Sequence, residues 1–119
     1  MKLLIVDDNQ PMRHLIKGLL ADLTDSITEC GDGIDAQASY IEHQPDWVLM
    51  DLMMPQVDGL TAARQILTAY PDARIVIITD HESPALREAA QSAGAVGYVL
   101  KDNLLNLREL LIAHDPGQA

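Results

Sequence analysis

Phenylalanine is missing from this chain, and aromatics make up only 3% of its 119 residues, so any core must rest on Leu, Ile, Val, Ala and Met. There is a single cysteine, Cys30, which excludes an internal disulfide and fits a reducing cytoplasm. It closes a strand-like run, where a buried thiol acting as a small hydrophobe is expected in preference to a reactive one. Basic residues are scarce: 8 Lys and Arg against 18 Asp and Glu leave a net charge of −10, which argues against a grip on a nucleic-acid backbone by this chain. No apolar run nears the roughly eighteen residues of a membrane span. Met1-Lys2 leads straight into a strand-like run, too short a lead for a signal peptide. The four histidines, His14, His43, His81 and His114, show no ligand spacing and read as surface residues, which leaves zinc without a site. The expectation is a cytoplasmic protein with no membrane or nucleic-acid contact of its own.

Hydrophobic residues reach 48%, with Gly 7 and Pro 6, enough for one folded domain over 1–119. Short apolar runs alternate regularly with helical patterns. The runs are Leu3–Val6, the more polar Ser26–Cys30, Trp47–Asp51, Arg74–Thr79 and Val96–Leu100. Helical faces are expected from Leu15, Leu19, Leu20 and Leu23, from Ile34, Ala38 and Ile41, from Leu60, Ala63 and Leu67, after the Ser83-Pro84 cap up to Gly94, and from Leu104, Leu107, Leu110 and Leu111. Continuous apolar strands are those buried on both faces of a parallel sheet. The alternation therefore implies α/β architecture: a doubly wound five-stranded parallel sheet flanked by five helices, flavodoxin-like. With the polar second strand at an edge, the strand order is 2-1-3-4-5.

The ends of these strands carry the chemistry. The first run ends in Asp7-Asp8, the third in Asp51, the fourth in Thr79 and the fifth in Lys101. In such sheets ligands sit beyond the carboxyl ends of the strands, so these side chains should meet at one rim. Taken singly, each has a structural reading: a turn or cap for an Asp, a strand end for Thr79, a solvated charge for Lys101. Their joint placement overrides those readings. Three carboxylates and one ammonium call for a divalent cation, and an all-oxygen donor set suits Mg²⁺ or Mn²⁺. A carboxylate beside such a cation and a lysine can attack a phosphoryl group, with Thr79 bonding one of its oxygens. Asp51, on the central strand, is the candidate nucleophile, and Asp7-Asp8 the metal clamp.

The segments "LLIVDDN" at 3–9, "PDWVLMDLMMPQVDG" at 45–59, "IVIIT" at 75–79 and "GYVLK" at 97–101 together resemble the response-regulator receiver domains of two-component signalling. The resemblance covers essentially the whole chain. It implies that Asp51 accepts a phosphoryl group from phosphohistidine on a sensor histidine kinase or phosphotransfer protein. Asp8 would bind Mg²⁺ directly, Asp7 mostly through water, and the Met53 carbonyl would add a further ligand. Lys101 would pair with phosphoryl oxygens, and Pro55 and Gly59 would shape the loop beside the site. Thr79 and Tyr98 match a switch pair whose movement would change an output face at roughly 83–113, used by a downstream protein and open to homodimer formation. A static packing role for Tyr98 stands beside that reading.

Two positions depart from the family pattern. Asp80 follows Thr79 where a small residue is usual, and a carboxylate at the pocket mouth should oppose an incoming anion. Asp102 follows Lys101 where Pro is common, and is expected to cap the last helix. "GYVLKD" looks most like receivers joined to helix-turn-helix DNA-binding domains, yet the chain ends at Asp115–Ala119, where such a linker would begin, and no DNA-binding domain is expected in it. The leading expectation is a phosphoacceptor signalling domain that catalyses only its own phosphorylation and dephosphorylation. The alternatives are a phosphorylation-independent interaction module on the same fold, a metal-dependent phosphatase with an aspartyl intermediate, and, weakest, a flavin-binding sandwich.

Overall fold

The computed structural model describes residues 1–114, so the expected chain end at 115–119 lies outside the described residues. The strands are β1 (Lys2–Val6), β2 (Ser26–Cys30), β3 (Trp47–Asp51), β4 (Ile75–Thr79) and β5 (Gly97–Leu100). They alternate with α1 (Gln10–Leu20), α2 (Ala36–His43), α3 (Gly59–Ala69), α4 (Pro84–Ala93) and α5 (Leu104–Ala113). All neighbouring strands pair in parallel, in the order β2-β1-β3-β4-β5. This is the expected topology, with the polar β2 at an edge.

Side chains alternate across each strand, so every strand feeds two cores. On one face Leu4, Val6, Val48, Met50, Ile75 and Ile77 pack against Ala62, Ala63 and Ile66 of α3, Tyr40 of α2 and Ala90 of α4. On the other, Leu3, Ile5, Trp47, Leu49, Val76 and Ile78 pack against Ile16 and Leu20 of α1 and Leu107 and Leu111 of α5. Tyr40 and Tyr70 stack at a tilt in the first core, with centroids 5.1 Å apart. Cys30 is buried, its thiol 3.0 Å from the Ser39 hydroxyl, and burial pushes its pKa up, which fits the structural reading.

Local signals set the helix ends. The Asn9 side chain accepts the Met12 N–H at 2.8 Å with Pro11 in the first turn, and Ser83 accepts the Leu86 N–H ahead of Pro84. Gly94, at φ 101°, ends α4 in a left-handed conformation that glycine adopts without strain.

The helical faces differ in places from expectation. Leu15 is 55% exposed, because the buried stripe of α1 runs through Ile16 and Leu20, one residue and about 100° further round. Ile34, Ala38 and Ile41 all lie exposed. A 3-10 turn at Gly33–Asp35 precedes α2 and rotates its inward face to Ala36 and Tyr40. Asp102 does not cap α5: the cap position is Asn103, and no side chain bonds the first turn. β4 and β5 each begin one residue later than expected, at Ile75 and Gly97.

Candidate functional site

Strand register brings the chemistry to one level. Val6 lies opposite Met50, so Asp7 stands beside Asp51; Thr79 lies opposite Leu100, so Asp80 stands beside Lys101. Residues at and just beyond these strand ends, among them Asp8, Asp51, Met53, Thr79 and Lys101, line an open cleft of about 250 Å³. Asp7 sits beneath it, 2% exposed, and Asp51 is 5% exposed. Asp7, Asp8 and Asp51 each offer an oxygen within 4.8 Å of the others. The Lys101 ammonium lies 3.1 Å from Asp7 Oδ2 and 3.2 Å from Asp51 Oδ1.

Electrostatics follow from that crowding. Burial, and then repulsion from Asp7, push the Asp51 carboxyl up to about 6, although Lys101 pulls the other way. Lys101 loses solvation, yet its contacts with Asp7 and Asp51 outweigh that loss and hold its ammonium above the ordinary value. Asp7 Oδ1 accepts the Asn9 N–H at 2.8 Å, while the buried Oδ2 faces Lys101 without any aligned hydrogen bond. Three carboxylates whose oxygens lie within 4.8 Å of one another, faced by a single ammonium, fit a hard, oxygen-seeking dication. Thr79, 1% exposed, accepts the His81 N–H at 3.2 Å, which leaves its hydroxyl hydrogen free to donate. Of the expected site residues, Asp8, Asp51, Met53, Thr79 and Lys101 line the cleft and Asp7 lies against them from beneath, whereas Tyr98 does not line it. The Tyr98 ring packs beneath the Arg87 guanidinium at 4.5 Å, and its hydroxyl donates to the His81 carbonyl at 2.6 Å.

One supporting residue escaped the sequence reading. Asp32, 8% exposed, accepts the N–H groups of Ile34, Gln56 and Val57, each at 3.0 Å. Burial works against its charge, but the amides of Gln56, Ile34, Val57 and Gly33 outweigh it and hold the carboxyl below its usual range. It thereby ties the β2–α2 turn to the loop that carries Met53. Only its position between Gly31 and Gly33 hinted at more than a turn residue.

A doubly wound parallel sheet with acidic side chains, a lysine and a buried threonine at the carboxyl ends of its strands defines a class of phosphoryl- and metal-handling domains. Within that class, residues 3–113 match the response regulator receiver domain, and the chain belongs to that family. It is 37% identical over 102 residues to the uncharacterized transcriptional regulatory protein YxjL of Bacillus subtilis, covering 84% of this chain and 47% of that one. It is 34% identical over 100 residues to the chemotaxis protein CheY of Halobacterium salinarum, covering 84% and 83%. Among solved structures, a two-component response regulator of the LuxR family from Aurantimonas superposes with a TM-score of 0.83 at 32% identity, covering 94% of this chain and 84% of the other. The chain spans about half the length of the transcriptional regulators it matches. Receiver domains are signalling modules of two-component systems rather than conventional enzymes, and they bind Mg²⁺ at an acidic pocket of this kind. No helix among the described residues is long and apolar enough to cross a membrane.

Proposed function

We propose that this chain is a phosphoacceptor: Asp51 takes a phosphoryl group from phosphohistidine on a sensor histidine kinase or phosphotransfer protein. The observation that carries this reading is the Lys101 ammonium held 3.2 Å from Asp51 at the floor of an open cleft, with Thr79 on the same wall. Asp7, Asp8, Asp51 and the Met53 carbonyl would hold Mg²⁺ or Mn²⁺, which supplies positive charge against the phosphoryl oxygens. An Asp51 carboxylate oxygen forms the new bond to phosphorus as the bond to the donor nitrogen breaks, and the nitrogen keeps the electron pair. Lys101 then exchanges its contact with Asp51 for a phosphoryl oxygen, and the free Thr79 hydroxyl hydrogen reaches another. Movement of Thr79 would pass to the His81 segment and Tyr98, and so to the face at 83–113, where a downstream protein or a second copy would bind. In this reading the chain acts as one receiver domain of the cytoplasm, alone or as part of a longer regulator, without nucleic-acid or membrane contact of its own.

Intact mass after incubation with phosphoramidate and Mg²⁺ tests the proposal. A hydroxylamine-labile gain of one phosphoryl group is expected, lost in Asp51→Asn and in EDTA. A folded protein that no donor loads would instead be an interaction module that works without phosphorylation.

A further inference from the structure

The cleft carries one carboxylate that the chemistry above does not use. Asp80 directly follows β4, is exposed, and lines the same cleft as Asp8, Asp51 and Lys101. Among the described residues nothing neutralises it: no ion pair or side-chain hydrogen bond involves its carboxylate. Of the two basic residues that line the cleft, Lys101 is committed to Asp7 and Asp51, and the His81 side chain makes no ion pair with Asp80. With a dication bound, the charges of Asp7, Asp8 and Asp51 are balanced by that ion and Lys101. Asp80 then leaves the mouth of the loaded cleft with a net negative charge.

We propose that Asp80 determines donor specificity. It selects phosphodonors that bring positive charge to the cleft mouth, namely a protein phosphohistidine flanked by Lys or Arg, and disfavours free dianionic acyl phosphates. This inference rests on the phosphoacceptor reading. A donor entering the cleft passes within a Debye length of Asp80, about 8 Å at physiological ionic strength, so the interaction is felt but can be screened by salt. The chemical step itself is the same for every donor. From acetyl phosphate, Asp51 gains the O–P bond and acetate leaves with the electrons of the broken P–O bond. From phosphoramidate the P–N bond breaks, and the already protonated nitrogen leaves as ammonia. The donors differ in charge on approach, acetyl phosphate being a dianion near neutral pH and phosphoramidate a net monoanion.

Loading rates with saturating Mg²⁺, followed by quenched intact mass, test this in the wild type, Asp80→Asn and Asp80→Lys. At low ionic strength Asp80→Asn should load from acetyl phosphate about threefold faster, with a smaller gain from phosphoramidate. Asp80→Lys should gain more with both, and the differences should shrink as salt is raised. A phosphohistidine peptide flanked by lysines should load the wild type faster than one flanked by glutamates, and Asp80→Lys should cancel that preference. Equal rates in all three proteins, or equal gains for both small donors at every salt concentration, overturn the inference and leave the phosphoacceptor reading intact. If no donor loads any of the three, that reading fails and this one fails with it.

Discussion

The Asp32 carboxylate and the Val57 amide, 25 residues apart in the chain, meet at 3.0 Å and join the turn after β2 to the loop after β3. The loop that carries Met53 into the cleft is thus held to the β2 turn by one buried anion. Asp32→Ala would leave the amides of Ile34, Gln56 and Val57 without their acceptor, at a cost of about 2 kcal/mol. Asp32→Asn keeps one oxygen for Ile34 and Val57 and loses the acceptor of Gln56, so it should cost less. The carboxyl is held below its usual range, so its stabilisation is complete above about pH 4 and is lost as pH falls through the lowered value. Urea unfolding at pH 7 and at pH 3 checks this: the gap between wild type and Asp32→Asn should narrow at the lower pH.

Asp51 behaves in the opposite sense. Its carboxyl rises from 3.8 to about 6 in the folded protein, so the folded state holds a proton that the unfolded chain has already released. Without metal, this group therefore costs stability progressively between about pH 4 and pH 6, by roughly 3 kcal/mol at the plateau. In EDTA, Asp51→Asn should be more stable than wild type at pH 7 and no more stable near pH 4. Urea midpoints across that range decide it; a stability difference that does not change with pH would contradict the crowded-carboxylate account. Adding Mg²⁺ should stabilise the wild type more than the variant, because binding favours only the folded state.

Gly59 opens α3 directly behind the site, and its amide donates to the Leu52 carbonyl at 2.9 Å. A Cβ there would fall on the Asp51 carbonyl oxygen, with Leu52 Cα at 3.0 Å, and both are backbone atoms that cannot swing aside. Gly59→Ala should cost about 2 kcal/mol and displace Asp51. Gly18, in α1, is the control: nothing lies within 4 Å of a Cβ built on it, so Gly18→Ala should stabilise by about 0.5–1 kcal/mol. Equal effects of the two substitutions on the urea midpoint would show that the loop relaxes around the methyl group.

The strand order and the cleft residues were readable because each rests on short-range pattern. Apolar runs such as Leu3–Val6 and Ile75–Thr79 mark buried strands, and parallel pairing then places their terminal side chains at one rim. The α2 face was not readable, since Ile34, Ala38 and Ile41 satisfy helical spacing, yet the 3-10 turn before α2 rotates Ala36 and Tyr40 inward instead. Asp32 was missed for a related reason. Its partners Gln56 and Val57 are distant in sequence, and no local pattern reports which backbone amides a turn carboxylate will meet. Trp47 is buried, 1% exposed, at the far end of β3 from Asp51, about 13 Å along the strand.

Tyr98 separates a moving from a static role by one hydrogen bond. Its hydroxyl holds the His81 carbonyl at 2.6 Å, and the His81 amide in turn donates to Thr79 Oγ1 at 3.2 Å. The segment after β4 is therefore pinned from β5 on one side and from the cleft on the other. Tyr98→Phe removes the first pin and keeps the ring under Arg87, so the loss of stability should be about 1 kcal/mol. Amide exchange at residues 80–83 should quicken in the variant, while that of α2 stays unchanged. If the tyrosine couples to the site, loading Asp51 should change exchange in this segment in the wild type and change it less in Tyr98→Phe. A segment whose exchange responds equally to phosphorylation in both proteins would make Tyr98 a packing residue, and transmission would then run through Thr79 and the backbone alone.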